Sequence, residues 1–273
     1  MIPHNLPTIG IEEEDAALRV IRSKQLSQDK EVELFENEFC DYLGLPHGSA
    51  VALSNGTSSL FMALETLEAQ GKKILFPGYV CAALRHAVSM AGGIENTVDV
   101  EPNSPNLDMN AIKQNLPDIS IIPHMYGIPI QIEVDDTMII EDCCQALGAK
   151  VKNKMVGLQG DVAIFSFYAT KLMTSGGQGG MFVSKNQEYV DAVRDYREFD
   201  YRNDSKTRFN LCSTTHREPR NFDRGYRHST TKCWLQRRRS SGNQSGHCLF
   251  QLRQPHCARP WLFYLRRYSW PFT

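Results

Sequence analysis

AVALSNGTSSLFMALETLEAQGKKILFPGYVCAALRHAVSM, residues 50–90, contains two short apolar runs, AVAL (50–53) and KILFP (73–77). Each is followed by a stretch whose apolar residues recur at three and four residue spacing. Continuous apolar runs of this length read as strands buried on both faces, and the spaced stretches, one from Ser58 and one from Ala83 to Met90, read as helices. The alternation continues through ENTVDV (95–100), ISIIPH (119–124) and MIIED (138–142). Strand and helix in turn imply an α/β fold with a mainly parallel sheet covered on both faces. In such sheets ligands collect at the carboxyl ends of the strands. The polar ends are Ser54-Asn55-Gly56-Thr57-Ser58, Pro123-His124-Met125-Tyr126-Gly127 and Glu141-Asp142-Cys143-Cys144-Gln145.

Upstream, EEEDAALRVIRS and EVELFENEFCDYL are spaced as amphipathic helices, expected to lie on the larger body with their acidic faces in water. The chain of 273 residues is 41% hydrophobic and 22% charged, enough for one large domain and a smaller piece. No basic start followed by an apolar stretch marks a leader, and no run is long enough to span a membrane, so the cytoplasm is the expected location. Cys40, Cys81, Cys143 and Cys144 sit in apolar patterns and are expected to be reduced core thiols.

Three local patterns carry chemistry. Asn55-Gly56-Thr57-Ser58 closes a strand and opens a helix, where main-chain amides and two hydroxyls could hold a phosphate or simply cap the helix. Asp142 ends the apolar strand MII, where a buried carboxylate needs a cationic partner, such as a pyridinium nitrogen, unless it is an N-cap. Gln145 stands three residues on, placed to close a capping box with Asp142 or to hydrogen-bond a ring substituent. In DVAIFSFYATKLMTSGGQGGMFVS (161–184), Lys171 lies between two β-type runs, with Ser166 before it and glycines after. Burial against Phe165, Phe167 and Tyr168 would favour its neutral, nucleophilic amine, as a Schiff-base lysine requires; a solvated strand end is the plain alternative.

GTSSLFMALETL, FPGYVCAALRHAVSMAGG, VDVEPNSPNLD, PHMYGIP, IIEDCCQALGA and GDVAIFSFYATKLMTSGGQGG, in this order, closely resemble the DegT/StrS family of nucleotide-sugar aminotransferases. The resemblance begins near Pro7, includes LSQDKEVELFENEFCDYLGLPHG, and runs to about Asn210, roughly three quarters of the chain. It implies a three-layer α/β/α large domain of fold-type I, dimeric, using pyridoxal 5'-phosphate to move an amino group, usually from glutamate, onto a nucleotide-linked keto sugar in polysaccharide biosynthesis. On that resemblance Lys171 is the catalytic lysine, and Asp142 pairs with the pyridine nitrogen. Gln145 stands beside the ring hydroxyl, Gly56, Thr57, Ser58 and Ser166 hold the phosphate, and Asn210 reaches a partner's cofactor. The family's aromatic residue over the ring falls at Cys81 here, with Tyr79 two positions before, so these two share the expected ring contact. His124 and Tyr126 match the family's histidine-containing strand-end segment; His124 reads either as a buried, satisfied histidine or as a catalytic one, and is left out of the catalytic set. A lysine in place of the histidine found in dehydrating relatives favours transamination. Another fold-type I enzyme is an alternative, and no GxGxxG follows an early strand to suggest a dinucleotide oxidoreductase.

After Leu211 the pattern stops, so residues 1–211 are expected to form the large domain and 212–273 a divergent, poorly ordered tail. Up to Leu211 there are 18 Lys+Arg against 29 Asp+Glu, a net of −11; beyond it 12 face 2, a net of +10. The tail has all three tryptophans and no valine, isoleucine or methionine, the residues of which cores are made. It reads as a translated frameshift replacing the family's small C-terminal domain, in which case the chain would be an inactive relative. A nucleic-acid-binding extension and a novel interaction segment are the alternatives. Its cysteines lack paired zinc spacing and no metal is expected; nucleic acid is an unlikely partner for want of a compact motif.

Overall fold

A computed structural model describes residues 7–134 and 136–198. Asn210 and the expected tail from residue 212 lie outside the described residues. The strands are β1 (Ala50–Leu53), β2 (Lys73–Pro77), β3 (Ile94–Val98), β4 (Ile119–Pro123), β5 (Met138–Asp142), β6 (Lys150–Val151), β7 (Lys154–Met155), β8 (Val162–Ser166) and β9 (Gly180–Ser184). The main sheet has seven of them in the order β1-β9-β8-β5-β4-β2-β3, and β6 and β7 form a separate antiparallel pair. Every neighbour pair from β8 to β3 is parallel, while β9 is antiparallel to both β1 and β8. Hence β1 runs with the parallel set, and the mainly parallel expectation holds with one reversed strand.

The helices are α1 (Ile11–Ser23), α2 (Lys30–Leu43), α3 (Gly56–Thr66), α4 (Ala82–Met90), α5 (Met109–Asn115) and α6 (Gln187–Glu198). Side chains alternate across a strand, so each strand feeds both faces of the sheet. Val51 and Leu53 of β1, with Val162 and Ile164 of β8, join the core under α3, α4 and α6; Ala50, Ala52, Ala163 and Phe165 turn to the core under α2. Ile112 of α5 packs with Leu75, Ile122 and Ile139 in a further cluster. Three layers follow from this alternation. Phe39 of α2 meets Phe165 edge-on, with ring centroids 4.9 Å apart, an arrangement that contributes about 0.5–1.5 kcal/mol beyond its area burial.

Some expectations are corrected. No residue of α1 is buried, and Ile11, Leu18 and Ile21 are exposed, so its apolar stripe does not lie on the body as α2's does. Glu36 of α2 is buried instead of facing water: it accepts from Ala52 N at 2.8 Å and pairs with Arg194 and Arg197 of α6. Opposite charge on a neighbouring helix offsets the desolvation that the α2 pattern alone could not foresee. The strand read as ENTVDV is β3, the sheet's edge, and its residues are mostly exposed. Cys40 and Cys143 are buried free thiols as expected, whereas Cys81 is exposed, because it stands before the first turn of α4 at the exit from β2.

Candidate active site

Because β1, β2, β4, β5 and β8 run in one direction, their carboxyl ends share one edge of the sheet. The α3 N-terminus begins there. Asn55 is the N-cap, its side chain accepting from Ser58 N at 2.8 Å, so the capping reading is correct for Asn55. The first-turn N–H groups of Gly56 and Thr57 have no acceptor within a helix. Ser58 Oγ is 2.9 Å from Ser54 Oγ, and Thr57 is exposed. A Cβ on Gly56 would stand 2.9 Å from Ser166 Cβ, 3.1 Å from Cys144 Sγ and 3.3 Å from Ser166 Oγ. Only glycine lets this helix start sit against the β8 and β5 ends.

Gly180 has the same role from the other side. A Cβ there would lie 2.4 Å from the Asn55 carbonyl carbon and oxygen, which belong to main chain and cannot rotate away. Gly180→Ala is expected to cost about 1–3 kcal/mol, read as a lowered midpoint of thermal unfolding. An unchanged midpoint would show that the α3 start yields without cost.

Asp142 is 7% exposed, and its Oδ1 accepts from Cys144 N at 3.0 Å. No helix follows β5: residues 143–148 are turns, which excludes both the N-cap reading of Asp142 and the capping box with Gln145. Among the described residues no cationic side chain is within ion-pair distance of Asp142. Gln145 Oε1 instead accepts from Tyr126 N at 3.0 Å, and Tyr126 Oη is 2.9 Å from Tyr79 Oη. Cys144 was not singled out by the sequence, yet it joins the cluster. Burial, then the Asp142 carboxylate, pushes its thiol well above the ordinary value, while the nearby Lys171 charge opposes and Cys81 adds to the rise. Cys144 thus bonds to Asp142 through its N–H, lies with Ser166 beside Gly56, and carries a thiol on which Lys171 and Cys81 both act electrostatically.

Lys171 sits in the loop from β8 to β9, in a turn closed by its own N–H to Tyr168 O at 2.9 Å. Phe167 N donates to Gly179 O at 2.8 Å, and Ser175 Oγ donates to Gln178 O at 2.7 Å, which folds the loop back on itself. The expected burial of Lys171 is corrected. It is half-buried, Tyr168 is exposed, and the rings of Phe165 and Phe167 pack on Phe35 and Phe39 of α2. Residue alternation sends the phenylalanines to the opposite face, which a linear reading of 165–171 hides.

His124 is fully buried and satisfied: Ile130 N donates to its Nδ1 at 3.0 Å, which places the proton on Nε2, 3.1 Å from Glu141 Oε2. Glu141 also accepts from the main-chain N–H of Gly157, Gln159 and Gly160 at 2.8, 2.6 and 2.7 Å. Burial would raise its pKa, but the His124 and main-chain hydrogen bonds outweigh that and hold it below the usual value. His124, Glu141 and Cys143 offer ligand atoms within 4.8 Å of one another. Hydrogen bonds already occupy those of His124 and Glu141, and burial holds the Cys143 thiol protonated, so the cluster reads as a support under β4 and β5. A cavity of about 620 Å³ between α1, α2 and the end of β1 reaches the cluster only at Ser54 and includes none of Lys171, Asp142 and Ser166. Residue chemistry, not hollow volume, marks the site.

The model of the DegT/DnrJ/EryC1/StrS aminotransferase family matches residues 7–217. The chain belongs to this family. DegT/StrS aminotransferases depend on pyridoxal phosphate. GDP-perosamine synthase of Vibrio cholerae is 31% identical over 176 residues, covering 60% of this chain and 47% of the relative. UDP-4-amino-4,6-dideoxy-N-acetyl-beta-L-altrosamine transaminase of Campylobacter jejuni subsp. jejuni serotype O:2 is 29% identical over 210 residues, covering 71% and 54%. The chain spans about half the length of the curated relatives it matches. Among solved structures, the aminotransferase from Psychrobacter cryohalolentis superposes with a TM-score of 0.65 at 27% identity, over 70% of this chain and 51% of that one. Helicobacter pylori PseC, an aminotransferase involved in the biosynthesis of pseudoaminic acid, gives 0.65 at 25% identity, over 71% and 55%. The α/β architecture, with its mainly parallel sheet, is that of the fold-type I aminotransferases.

Proposed function

We propose that this chain binds pyridoxal 5'-phosphate at the β1, β5 and β8 ends and acts as an aminotransferase on a nucleotide-linked keto sugar, with glutamate as donor. The observation that carries the proposal is Asp142, a buried carboxylate with no cationic side chain in ion-pair reach among the described residues, near the α3 start and within the influence of Lys171. A protonated ring nitrogen supplies the missing cation. The donor set fits the other end of the group: free N–H of Gly56 and Thr57, with the hydroxyls of Thr57, Ser58 and Ser166, suit a phosphate dianion. Gly56 keeps the space beside Ser166 and Cys144 that a side chain would fill.

When bound, the group supplies an electron-accepting ring that stabilises negative charge at the carbon losing its proton. Asp142 keeps the ring nitrogen protonated. Lys171 Nζ would hold the aldehyde carbon of the group and would serve as the base and acid that takes and returns the substrate proton. Gln145, Tyr79 and Cys81 would hold the ring, Cys81 without the stacking that an aromatic side chain offers. The chain works as a cytoplasmic homodimer. The exposed Ile11, Leu18 and Ile21 of α1 suit such pairing, and no described helix is long and apolar enough to cross a membrane.

Mixing the purified protein with pyridoxal phosphate tests the binding. A visible absorption band is expected in the wild type and its loss in Lys171→Ala. A wild type without any Lys171-dependent band would overturn the proposal.

A further inference from the structure

Tyr126 has a left-handed backbone, φ 54° and ψ 24°, although it is a bulky residue and 64% exposed. Such a conformation is costly for a residue with a Cβ and persists only where its surroundings over-determine it. Here they do. His124 N donates to Asp142 O at 3.1 Å, Met125 N to Asn106 Oδ1 at 2.9 Å, and Ile128 N to Met125 O at 2.9 Å, so the chain is pinned on both sides of Tyr126. The strained residue's own N–H goes to a side chain, Gln145 Oε1, at 3.0 Å.

That bond settles a choice usually left open, which end of an amide is oxygen. A main-chain N–H can only donate, so the atom facing Tyr126 must be Oε1. The two Nε2 protons of Gln145 then point away from Tyr126, and among the described residues no acceptor is assigned to them. Gln145 is half-buried and three residues beyond Asp142, on the turn that places Cys144 against Gly56. At its outer end Tyr126 is tied by its hydroxyl to Tyr79, itself 56% exposed, on the exit from β2.

We infer that Tyr126 is a positioning residue: its left-handed main chain fixes the Gln145 amide so that the NH2 group serves as hydrogen-bond donor to an anionic ring oxygen beside Asp142. The inference rests on the cofactor reading above. The side chain at position 126 matters less to this task than the backbone angle, while the Tyr126–Tyr79 contact steadies the loop that carries it.

The test uses pyridoxal phosphate as the probe and the pH titration of the visible band as the readout, with folding checked by far-ultraviolet circular dichroism. Tyr126→Gly accepts the left-handed angle and keeps the N–H, so it is expected to shift the titration midpoint least. Tyr126→Val resists that angle, and its midpoint is expected to rise by about one pH unit, since losing a donor to the anion disfavours the ionised form. Gln145→Glu, which has no NH2 group, is expected to shift it in the same direction. Should Tyr126→Val not fold, Tyr126→Ala takes its place with a smaller shift of the same sign. Equal midpoints for the glycine and the Cβ-bearing variants, or no shift in Gln145→Glu, overturn the inference while leaving the cofactor reading intact. A wild type with no Lys171-dependent band overturns both.

Discussion

Glu141→Ala is expected to lower the stability of the protein by about 3–5 kcal/mol, because it leaves buried donors without their acceptor. The carboxylate is fully buried and receives the N–H groups of Gly157, Gln159 and Gly160, together with His124 Nε2–H. Those donors are buried with it and lose their common acceptor when the side chain is gone. A loss of that size corresponds to a fall of about 6–20 °C in the thermal midpoint of a domain this large. Glu141→Gln should be milder, keeping one acceptor oxygen while turning an NH2 group toward main-chain donors. The pH dependence has a definite sign. A carboxylate whose folded pKa is depressed stabilises the fold above its unfolded value, and the stability is lost as pH falls through the folded value. The wild type should therefore lose stability through and below the ordinary glutamate range, about pH 4, and Glu141→Gln should lack that component. Thermal melts at several pH values decide it; superimposable profiles for the two proteins would show that Glu141 is not ionised in the fold.

On the proposed function, Lys171→Ala should lower transamination by at least about a thousandfold, the larger effect on function. Alanine has no Nζ to hold the aldehyde or carry the proton, and Lys171 is the lysine whose charge bears on the Cys144 thiol. The loop is closed by main-chain bonds, including Lys171 N to Tyr168 O, so the substitution should leave the thermal midpoint nearly unchanged. Turnover of glutamate with nucleotide-linked keto sugars is the measurement, with added methylamine expected to restore part of the rate. Retention of more than about a tenth of wild-type turnover would exclude Lys171 as the proton carrier. Loss of rate with loss of fold would point to a structural role instead.

The site was legible where chemistry follows directly from chain order. Asp142 at the end of MII and Asn55-Gly56-Thr57-Ser58 at a strand-to-helix junction could be placed on one sheet edge, because parallel strands have their carboxyl ends together. Gly56 and Gly180 were visible as glycines, but not the main-chain and Ser166 contacts that require them. Cys144 read as a core thiol and stands instead against both Asp142 and Gly56, its thiol within the influence of the Lys171 charge. For Gln145 the capping alternative falls with a helix that does not form, and the partner it does have, Tyr126, lies 19 residues away in sequence. Cys81 was expected inside and is exposed, since apolar neighbours along the chain are not its neighbours in space.

Alternating strands and helices, the strand-end polar residues and the family resemblance are properties of the sequence itself, since periodicity and local order encode which face of each element is apolar. Tertiary structure alone decided that β9 runs against its neighbours, that Phe165 and Phe167 turn toward α2 and away from the site edge, and that Glu36 and Glu141 are buried among their partners. These depend on contacts between segments far apart in the chain, and hydrogen-bond partners and buried charge pairs leave no periodic trace in the elements that carry them.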